Sequence, residues 1–276
     1  MVEKSASITK KLFRLNEILD SLQTAVVAFS GGADSALLAS AASRRLNEKA
    51  VAVTAYSSTL AMQEQEDAAR IAAEIGIRHV LLPADELDDE DFLRNGPDRC
   101  YHCKRLRFSV LADWAKENHY AWILEGSNVD DLGDYRPGMK ALDSMPNVRS
   151  PLLEAGFTKA EIRALSKEWG LSTWDKPSAA CLASRIAYGQ PVSAVKLGQV
   201  EQAEQLVRRF VSGQVRVRHH GAIARIEVEP SQMGKITDPA TAELITRELK
   251  TLGFPFVALD LSGYRMGSLN ETLPGH

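Results

Sequence analysis

The first half of the chain alternates short apolar segments, rich in β-branched residues, with longer segments of helical periodicity. A short apolar run between turn residues is typical of a buried strand, and strands that alternate with helices indicate right-handed βαβ crossovers. The predicted fold class is therefore α/β, with a doubly wound parallel sheet. The predicted strands cover residues 24–30, 50–57, 79–85 and 121–127, and the predicted helices cover 6–21, 30–46, 62–76, 100–118 and 158–170.

The pattern changes after a stretch over 174–193 that contains proline, glycine and serine. Beyond it, two alternating segments joined through Gly221 predict a β-hairpin. We therefore expect a first domain over residues 1–190 and a smaller C-terminal α+β domain over 191–276. The predicted elements of that second domain are a helix over 193–211, the hairpin over 214–229, mainly helical residues over 231–253 and a strand over 256–264.

Composition excludes some classes of protein. The 276 residues include 33 basic and 36 acidic side chains, a formal charge of −3, which argues against a dedicated nucleic-acid binder. No apolar run approaches the roughly 20 residues that span a bilayer, and the amino-terminal residues lack a secretory apolar region. The three cysteines cannot form a complete set of disulfides. We expect a cytoplasmic protein without a membrane partner.

The turn after the first predicted strand reads SGGADS and leads into a helix. Glycines let the backbone approach a polyphosphate, and free N–H groups at a helix start attract anions. The turn is similar to the SGGxDS signature of the PP-loop ATP pyrophosphatases, which cleave ATP between its α and β phosphates. That resemblance implies ATP binding by Ser30, Gly31, Gly32, Asp34 and Ser35. Asp34 fits either a metal ligand or a charge at the helix start.

A second segment, EGSNVDD, follows the strand predicted over 121–127. Ligands of open α/β sheets bind at the carboxyl ends of strands, so Gly126 and Asn128 are predicted to contact ATP. Asp130 and Asp131, with Asp34, are candidate ligands of Mg²⁺. The acidic pair is also typical of a helix N-terminus, and both interpretations can hold together.

The three thiols suggest sulfur chemistry. Cys100 and Cys103 form a CxxC at a helix start, a pattern that also fits an incomplete zinc site or a redox pair. The basic run that begins at Lys104 favours thiolates there. Cys181 lies in a loop of small residues and also fits a buried, inert thiol. A [4Fe–4S] cluster usually takes four cysteines, so three would leave one iron open for hydrosulfide.

Several motifs together resemble the LarE-type ATP-dependent sulfur transferases, over nearly the whole chain. The motifs are SGGADS, CYHCK, EGSNVDD, DYRPG, KPSAACLASR and the segment beginning VRVRHH. The resemblance implies that ATP adenylylates both carboxylates of a pyridinium-3,5-dicarboxylate mononucleotide, and that sulfur then displaces AMP to give thiocarboxylates. It further implies a place beside the other enzymes that make the nickel-pincer nucleotide cofactor of lactate racemase, and a homo-oligomer.

The resemblance also assigns roles to single residues. Some members of the family sacrifice the sulfur of one cysteine, whereas others with three cysteines hold an iron–sulfur cluster. Here the cluster ligands are expected to be Cys100, Cys103 and Cys181, which puts a sacrificial Cys181 in question. Arg216 and Arg218 lie on one face of a predicted strand and, with Ser184, are expected to bind the substrate phosphate. A solvated basic face is the alternative for the two arginines.

Other functions share parts of this pattern. An amidating ligase like NAD or GMP synthetase would use ammonia and would not need three cysteines. A tRNA thiolation enzyme would need an RNA-binding surface, which the acidic composition does not favour. A non-catalytic nucleotide-binding or zinc-stabilised module would release no pyrophosphate from ATP.

Overall fold

The computed structural model describes residues 2–133, 137–269 and 271. The chain divides into two compact units. The first consists of Met1–Asp85 and Cys100–Ala179, and the second of Glu86–Arg99 and Ala180–His276. The second unit thus includes a stretch from the middle of the predicted first domain. The domain limits 1–190 and 191–276 stay a prediction. Of the DYRPG motif, residues 134–136 lie outside the described part of the chain.

A parallel sheet forms the centre of the first unit. Its order is β3-β2-β1-β4-β5, and every pairing among the described strands is parallel. The order reverses at β1, where β2 lies on one side and β4 on the other. That position is the topological switch point at which open α/β sheets bind ligands. The strands are β1 (Ala25–Ala28), β2 (Ala50–Tyr56), β3 (His79–Pro83), β4 (Trp122–Leu124) and β5 (Val148–Arg149).

The sheet is buried on both faces because alternate strand residues enter two separate cores. Val27 and Ala52 belong to one apolar cluster, whereas their neighbours Val26 and Val51 belong to another. Successive side chains of a strand point to opposite faces, so continuous apolar strands need helices on both sides. This arrangement confirms the predicted doubly wound α/β fold.

Local signals set the limits of the helices in this unit. Gly76 ends one helix with a left-handed φ of 76°. Thr158 begins another with a capping box in which Glu161 is the second member. Both limits were predicted from the sequence. The helices are α1 (Val2–Asp20), α2 (Ala33–Leu46), α3 (Met62–Ile75), α4 (Glu90–Leu93, in the second unit), α5 (Arg99–Glu117), α6 (Pro151–Glu154) and α7 (Lys159–Glu168).

The second unit contains a sheet of order β6-β7-β8 among the described residues. β6 and β7 form the predicted antiparallel hairpin, and Gly221 turns between them with a φ of 69°. β8 pairs with β7 in parallel. The elements are α8 (Ala194–Arg208), β6 (Val215–His220), β7 (Ile223–Val228), α9 (Met233–Ile236), α10 (Pro239–Thr251) and β8 (Phe256–Leu259).

One face of this smaller sheet packs on helices. Val215 and Val217 of β6 are fully buried in an apolar cluster that includes Leu249 of α10. Strand alternation therefore places Arg216 and Arg218 on the opposite face. Among the described residues, no helix is both long and apolar enough to cross a membrane.

Candidate functional site

The loop between β1 and α2 is closed by its own hydroxyl groups. Ser30 Oγ lies 3.2 Å from Ser35 Oγ, and the Ser35 hydroxyl also lies 3.2 Å from the carbonyl oxygen of Gly32. Gly31 has a φ of 67°, and a Cβ there would lie 3.0 Å from Ala68 Cα. Both observations require glycine at this position. The loop therefore keeps its backbone close to α3 and presents N–H groups at the start of α2.

The segment after β4 packs against the same loop. A Cβ on Gly126 would lie 3.3 Å from both Asp34 Cβ and the amide nitrogen of Ser35. Asn128 Nδ2 donates to Asp34 Oδ1 over 3.4 Å, and Lys159 forms an ion pair with the same carboxylate. The structure thus brings together the predicted ATP-binding residues of two separate motifs within one unit.

The acidic pair of this segment accepts hydrogen bonds from backbone amides. The Lys159 amide donates to Asp130 Oδ2 over 2.7 Å, and the Asn128 amide donates to Asp131 Oδ2 over 2.9 Å. The Asp131 contact is of the local kind that the alternative interpretation expects, whereas Asp130 binds the first amide of α7. A role in binding Mg²⁺ stays a prediction for Asp34, Asp130 and Asp131.

Glu125 is a central residue that the sequence reasoning did not single out. It is 5% exposed, and its carboxylate accepts hydrogen bonds from the Ser127 amide at 3.2 Å and the Ser127 hydroxyl at 2.8 Å. The hydroxyl of Ser150 and the ammonium of Lys104 also donate to it. A buried carboxylate is tolerated only when it is paired and hydrogen-bonded. The sequence signal that could have identified Glu125 is an acidic residue directly before a glycine at the end of a strand.

Cys100 and Cys103 lie at the start of α5, and both are cysteines outside any disulfide. Residues three apart in a helix share a face, so the two thiols are on the same side. Two basic residues that follow the thiols also bind other parts of the unit. Lys104 pairs with Glu125, and Arg107 Nη2 donates to Thr59 Oγ1 over 2.9 Å.

Cys181 belongs to the second unit, where its backbone carbonyl is held by two side chains. The Ser184 hydroxyl donates to the Cys181 carbonyl over 2.7 Å. Arg185 Nη1 donates to the same oxygen over 3.0 Å and to the Ala180 carbonyl over 2.6 Å. Arg185 is anchored in turn by Glu204, whose Oε1 accepts from Arg185 Nε over 2.8 Å. The sequence reasoning did not identify Glu204, because it is distant in sequence.

Arg216 and Arg218 are each 5% exposed, so the alternative of a solvated basic face is wrong. Arg218 Nη2 pairs with Glu227 Oε2 at 2.7 Å, and its Nη1 donates to the Ser184 carbonyl over 3.1 Å. Arg216 Nη1 donates to the Val215 carbonyl over 2.7 Å. Burial, and then the nearby charge of Arg185, lower the pKa of Arg216 to about 10.

Arg216 stays protonated at neutral pH with that pKa. Among the described residues no carboxylate forms an ion pair with Arg216. Arg218 and Arg225, by contrast, both pair with Glu227. Its guanidinium carbon lies 5.2 Å from the ring centre of Tyr264. A buried guanidinium with unused donors is suited to a phosphate.

Comparisons with known proteins give a consistent result. The model of the queuosine biosynthesis protein QueC family matches residues 24–91, which include the glycine loop. The chain is 38% identical to the pyridinium-3,5-bisthiocarboxylic acid mononucleotide synthase of Lactiplantibacillus plantarum, over 97% of this chain and 96% of that protein. It is 39% identical to the protein slr1717 of Synechocystis sp., over 96% of this chain and 99% of that protein. The tRNA-specific 2-thiouridylase MnmA of Rickettsia peacockii is 28% identical over 57% of this chain and 53% of its own length.

Proposed function

The chain belongs to the family of pyridinium-3,5-bisthiocarboxylic acid mononucleotide synthases, and from that membership we propose how its residues divide the work. The resemblance inferred from the motifs is confirmed, and the protein is an ATP-dependent sulfur transferase of the PP-loop class. Its likeness to the Lactiplantibacillus enzyme, 38% identity over 97% of the chain, carries this conclusion. The tRNA-thiolating relatives are 27–28% identical and cover between 57% and 72% of it. Homo-oligomeric assembly and a cytoplasmic location stay predictions.

The substrate class proposed is a pyridinium-3,5-dicarboxylate mononucleotide. In the first step a substrate carboxylate oxygen attacks the α-phosphorus of ATP, the bond to the β-phosphate breaks, and pyrophosphate leaves. The N–H groups of the glycine loop, with Ser30 and Ser35, would bind the departing pyrophosphate. Asp34, Asp130 and Asp131 would hold Mg²⁺ on the phosphates.

In the second step sulfur attacks the acyl carbon of the adenylate. A carbon–sulfur bond forms, the carbon–oxygen bond to AMP breaks, and a thiocarboxylate and AMP result. Repetition at the second carboxylate uses a second ATP and gives the bisthiocarboxylate, for nickel-pincer cofactor biosynthesis.

The source of sulfur is proposed from the donor chemistry of the thiols. Cys100 and Cys103 offer two thiols one helical turn apart, where the helix dipole favours thiolates. With Cys181, the third ligand that the family resemblance implies, they would supply the three thiolates of a [4Fe–4S] cluster, which would offer an open iron site for hydrosulfide. If Cys181 gave its own sulfur instead, intact mass spectrometry after turnover would detect dehydroalanine and the loss of one H₂S.

The phosphate of the substrate is proposed to bind Arg216, with Arg218 and Ser184 beside it. A hydrogen bond to a charged group contributes about 1.5–3 kcal/mol, so Arg216→Ala is expected to raise the KM for the mononucleotide about 10- to 100-fold. The KM for ATP should change little. Arg209→Ala is the matched control, because Arg209 is exposed on the surface of the same unit. Equal mononucleotide KM values in the two variants would place the phosphate elsewhere.

The overall reaction can be tested anaerobically with ATP, Mg²⁺, the dicarboxylate mononucleotide and sulfide. We expect pyrophosphate and AMP in equal amounts and a product with sulfur in place of carboxylate oxygen, detected by mass spectrometry. Replacing sulfide with ammonia tests the amidating alternative, which predicts an amide. Absence of pyrophosphate release with this substrate would contradict the proposed function.

A further inference from the structure

The turn of α5 that carries Cys100 and Cys103 lies in the same compact unit as the glycine loop. A partly buried ion pair connects this thiol turn to the segment after β4 that packs against the loop. Lys104 Nζ lies 3.2 Å from Glu125 Oε2, and the two side chains are 24% and 7% exposed. Lys104 follows Cys103 directly in the chain. Glu125 precedes Gly126, whose backbone packs against Asp34 and Ser35.

Glu125 is fixed from several sides. Its Oε1 accepts from the Ser127 amide and the Ser150 hydroxyl, and its Oε2 accepts from the Ser127 hydroxyl and from Lys104. Lys104 is the cation that balances this buried negative charge. In some proteins a buried ion pair adds little stability but fixes one arrangement among several.

Side chains on one face of α5 bind two loops at the carboxyl ends of the strands. Positions 100, 103, 104 and 107 share one helix face. Lys104 binds Glu125 after β4, whereas Arg107 donates to Thr59 in the loop after β2. The chain near Gly138 also packs here, since a Cβ on Gly138 would lie 3.2 Å from the Cys100 carbonyl oxygen. The start of α5 is therefore held against the loops that follow β2 and β4, the two strands that neighbour β1.

We infer that Lys104 is a positioning residue that, through Glu125, sets the place of the Cys100 and Cys103 thiols relative to the adenylylated carboxylate. The inference rests on the proposed function. When the thiol turn is displaced, water competes with sulfur for the acyl-adenylate. Water then attacks the acyl carbon, the bond to AMP breaks, and the original carboxylate is released. ATP is consumed without thiocarboxylate.

The test is the ratio of thiocarboxylate to AMP, measured with the full-length protein under the anaerobic conditions above. In Lys104→Met the ratio is expected to fall about tenfold or more, since misplacing a reacting group by about 1 Å costs on the order of 100-fold in rate. The KM for ATP should stay within about twofold. Lys104→Arg, which restores a cation to the single carboxylate oxygen, should recover most of the ratio. Lys116→Met is the matched control, because Lys116 is exposed on the same helix.

A second measurement does not depend on turnover. After chelation of bound metal, iodoacetamide should alkylate Cys103 several-fold faster in Glu125→Gln than in Lys116→Met, because the thiol turn is released while Lys104, which favours the thiolate, is kept. Glu125→Gln, which keeps the size of the side chain and removes its charge, should lower the ratio of thiocarboxylate to AMP as Lys104→Met does. It serves as a second variant if Lys104→Met does not fold.

The outcomes separate this inference from the proposed function. If AMP and thiocarboxylate fall together in Lys104→Met, or if the ratio equals that of the wild type, Lys104 does not position the thiols and the inference is overturned. If the wild type and Lys116→Met form neither AMP nor thiocarboxylate, the proposed function itself fails.

Discussion

Removal of the Glu204 carboxylate should destabilise the second unit strongly. Glu204 is 5% exposed, accepts from Arg185 Nε at 2.8 Å and Nη2 at 3.2 Å, and accepts from the Val217 amide at 3.2 Å. Arg185 is itself 4% exposed, so Glu204→Ala leaves its charge buried without a counterion. Breaking a buried pair by deleting one partner costs about 3–5 kcal/mol. The lost hydrogen bond of the Val217 amide adds about 1–3 kcal/mol.

The same carboxylate provides an internal comparison. Arg208 Nη2 lies 3.5 Å from Glu204 Oε2, but the Arg208 side chain is 46% exposed. An exposed ion pair contributes about 0.2–1 kcal/mol, so Arg208→Ala should lower the unfolding free energy by no more than that. Urea denaturation followed by circular dichroism measures both variants against the wild type. If Glu204→Ala costs no more than Arg208→Ala, the reasoning from burial is wrong.

Two further predictions concern the glycine loop and pH. Gly31→Ala is expected to lower the free energy of unfolding by about 1–2 kcal/mol, because the residue has a left-handed backbone. It should also weaken ATP binding, because the new Cβ would lie 3.0 Å from Ala68 Cα. Gly76→Ala is the control, because Gly76 has a φ of 76° and nothing within 4 Å of the added Cβ, and equal ATP affinity in both variants would contradict this reasoning. Burial, followed by the charge of Lys196, lowers the pKa of His219 in the folded state. The unfolded chain then takes up its proton first, so this contribution to stability is complete above about pH 6.5 and is lost as the pH falls towards the lower folded pKa. The unfolding free energy measured between pH 7 and 5 should therefore depend less steeply on pH in His219→Phe, and an unchanged slope would refute the assignment.

Rules that act within a few residues predicted most of the fold. The capping box at Thr158, the left-handed Gly76 and the hairpin turn at Gly221 each depend on neighbours in the sequence, and all three are present in the structure. The strand–glycine–helix succession likewise placed Ser30 and Ser35 at the end of a buried strand. Local geometry fixes such features, so their sequence signals are direct.

Features that depend on distant partners could not be predicted in the same way. β5 has only two residues, Val148 and Arg149, too few for a periodic pattern, and it exists because β4 pairs with it. Alternating arginines on β6 are typical of a solvated face. Arg218 is buried here because Glu227 neutralises its charge and the Ser268 hydroxyl accepts from it, and both partners are distant in the chain.

The two units differ in how their charges are used, and this difference bears on anion recognition. In the first unit Lys104 and Lys159 are both paired with carboxylates, which agrees with the proposal that backbone N–H groups and hydroxyls of the glycine loop bind the ATP phosphates. In the second unit Arg216 stays buried and charged with a single hydrogen bond to the protein among the described residues. A cation that is already buried loses little further hydration when an anion binds. Its electrostatic attraction to the anion is also stronger, because the surroundings have a low dielectric constant. Substrate binding by Arg216 should therefore be less sensitive to salt than binding at an exposed arginine would be.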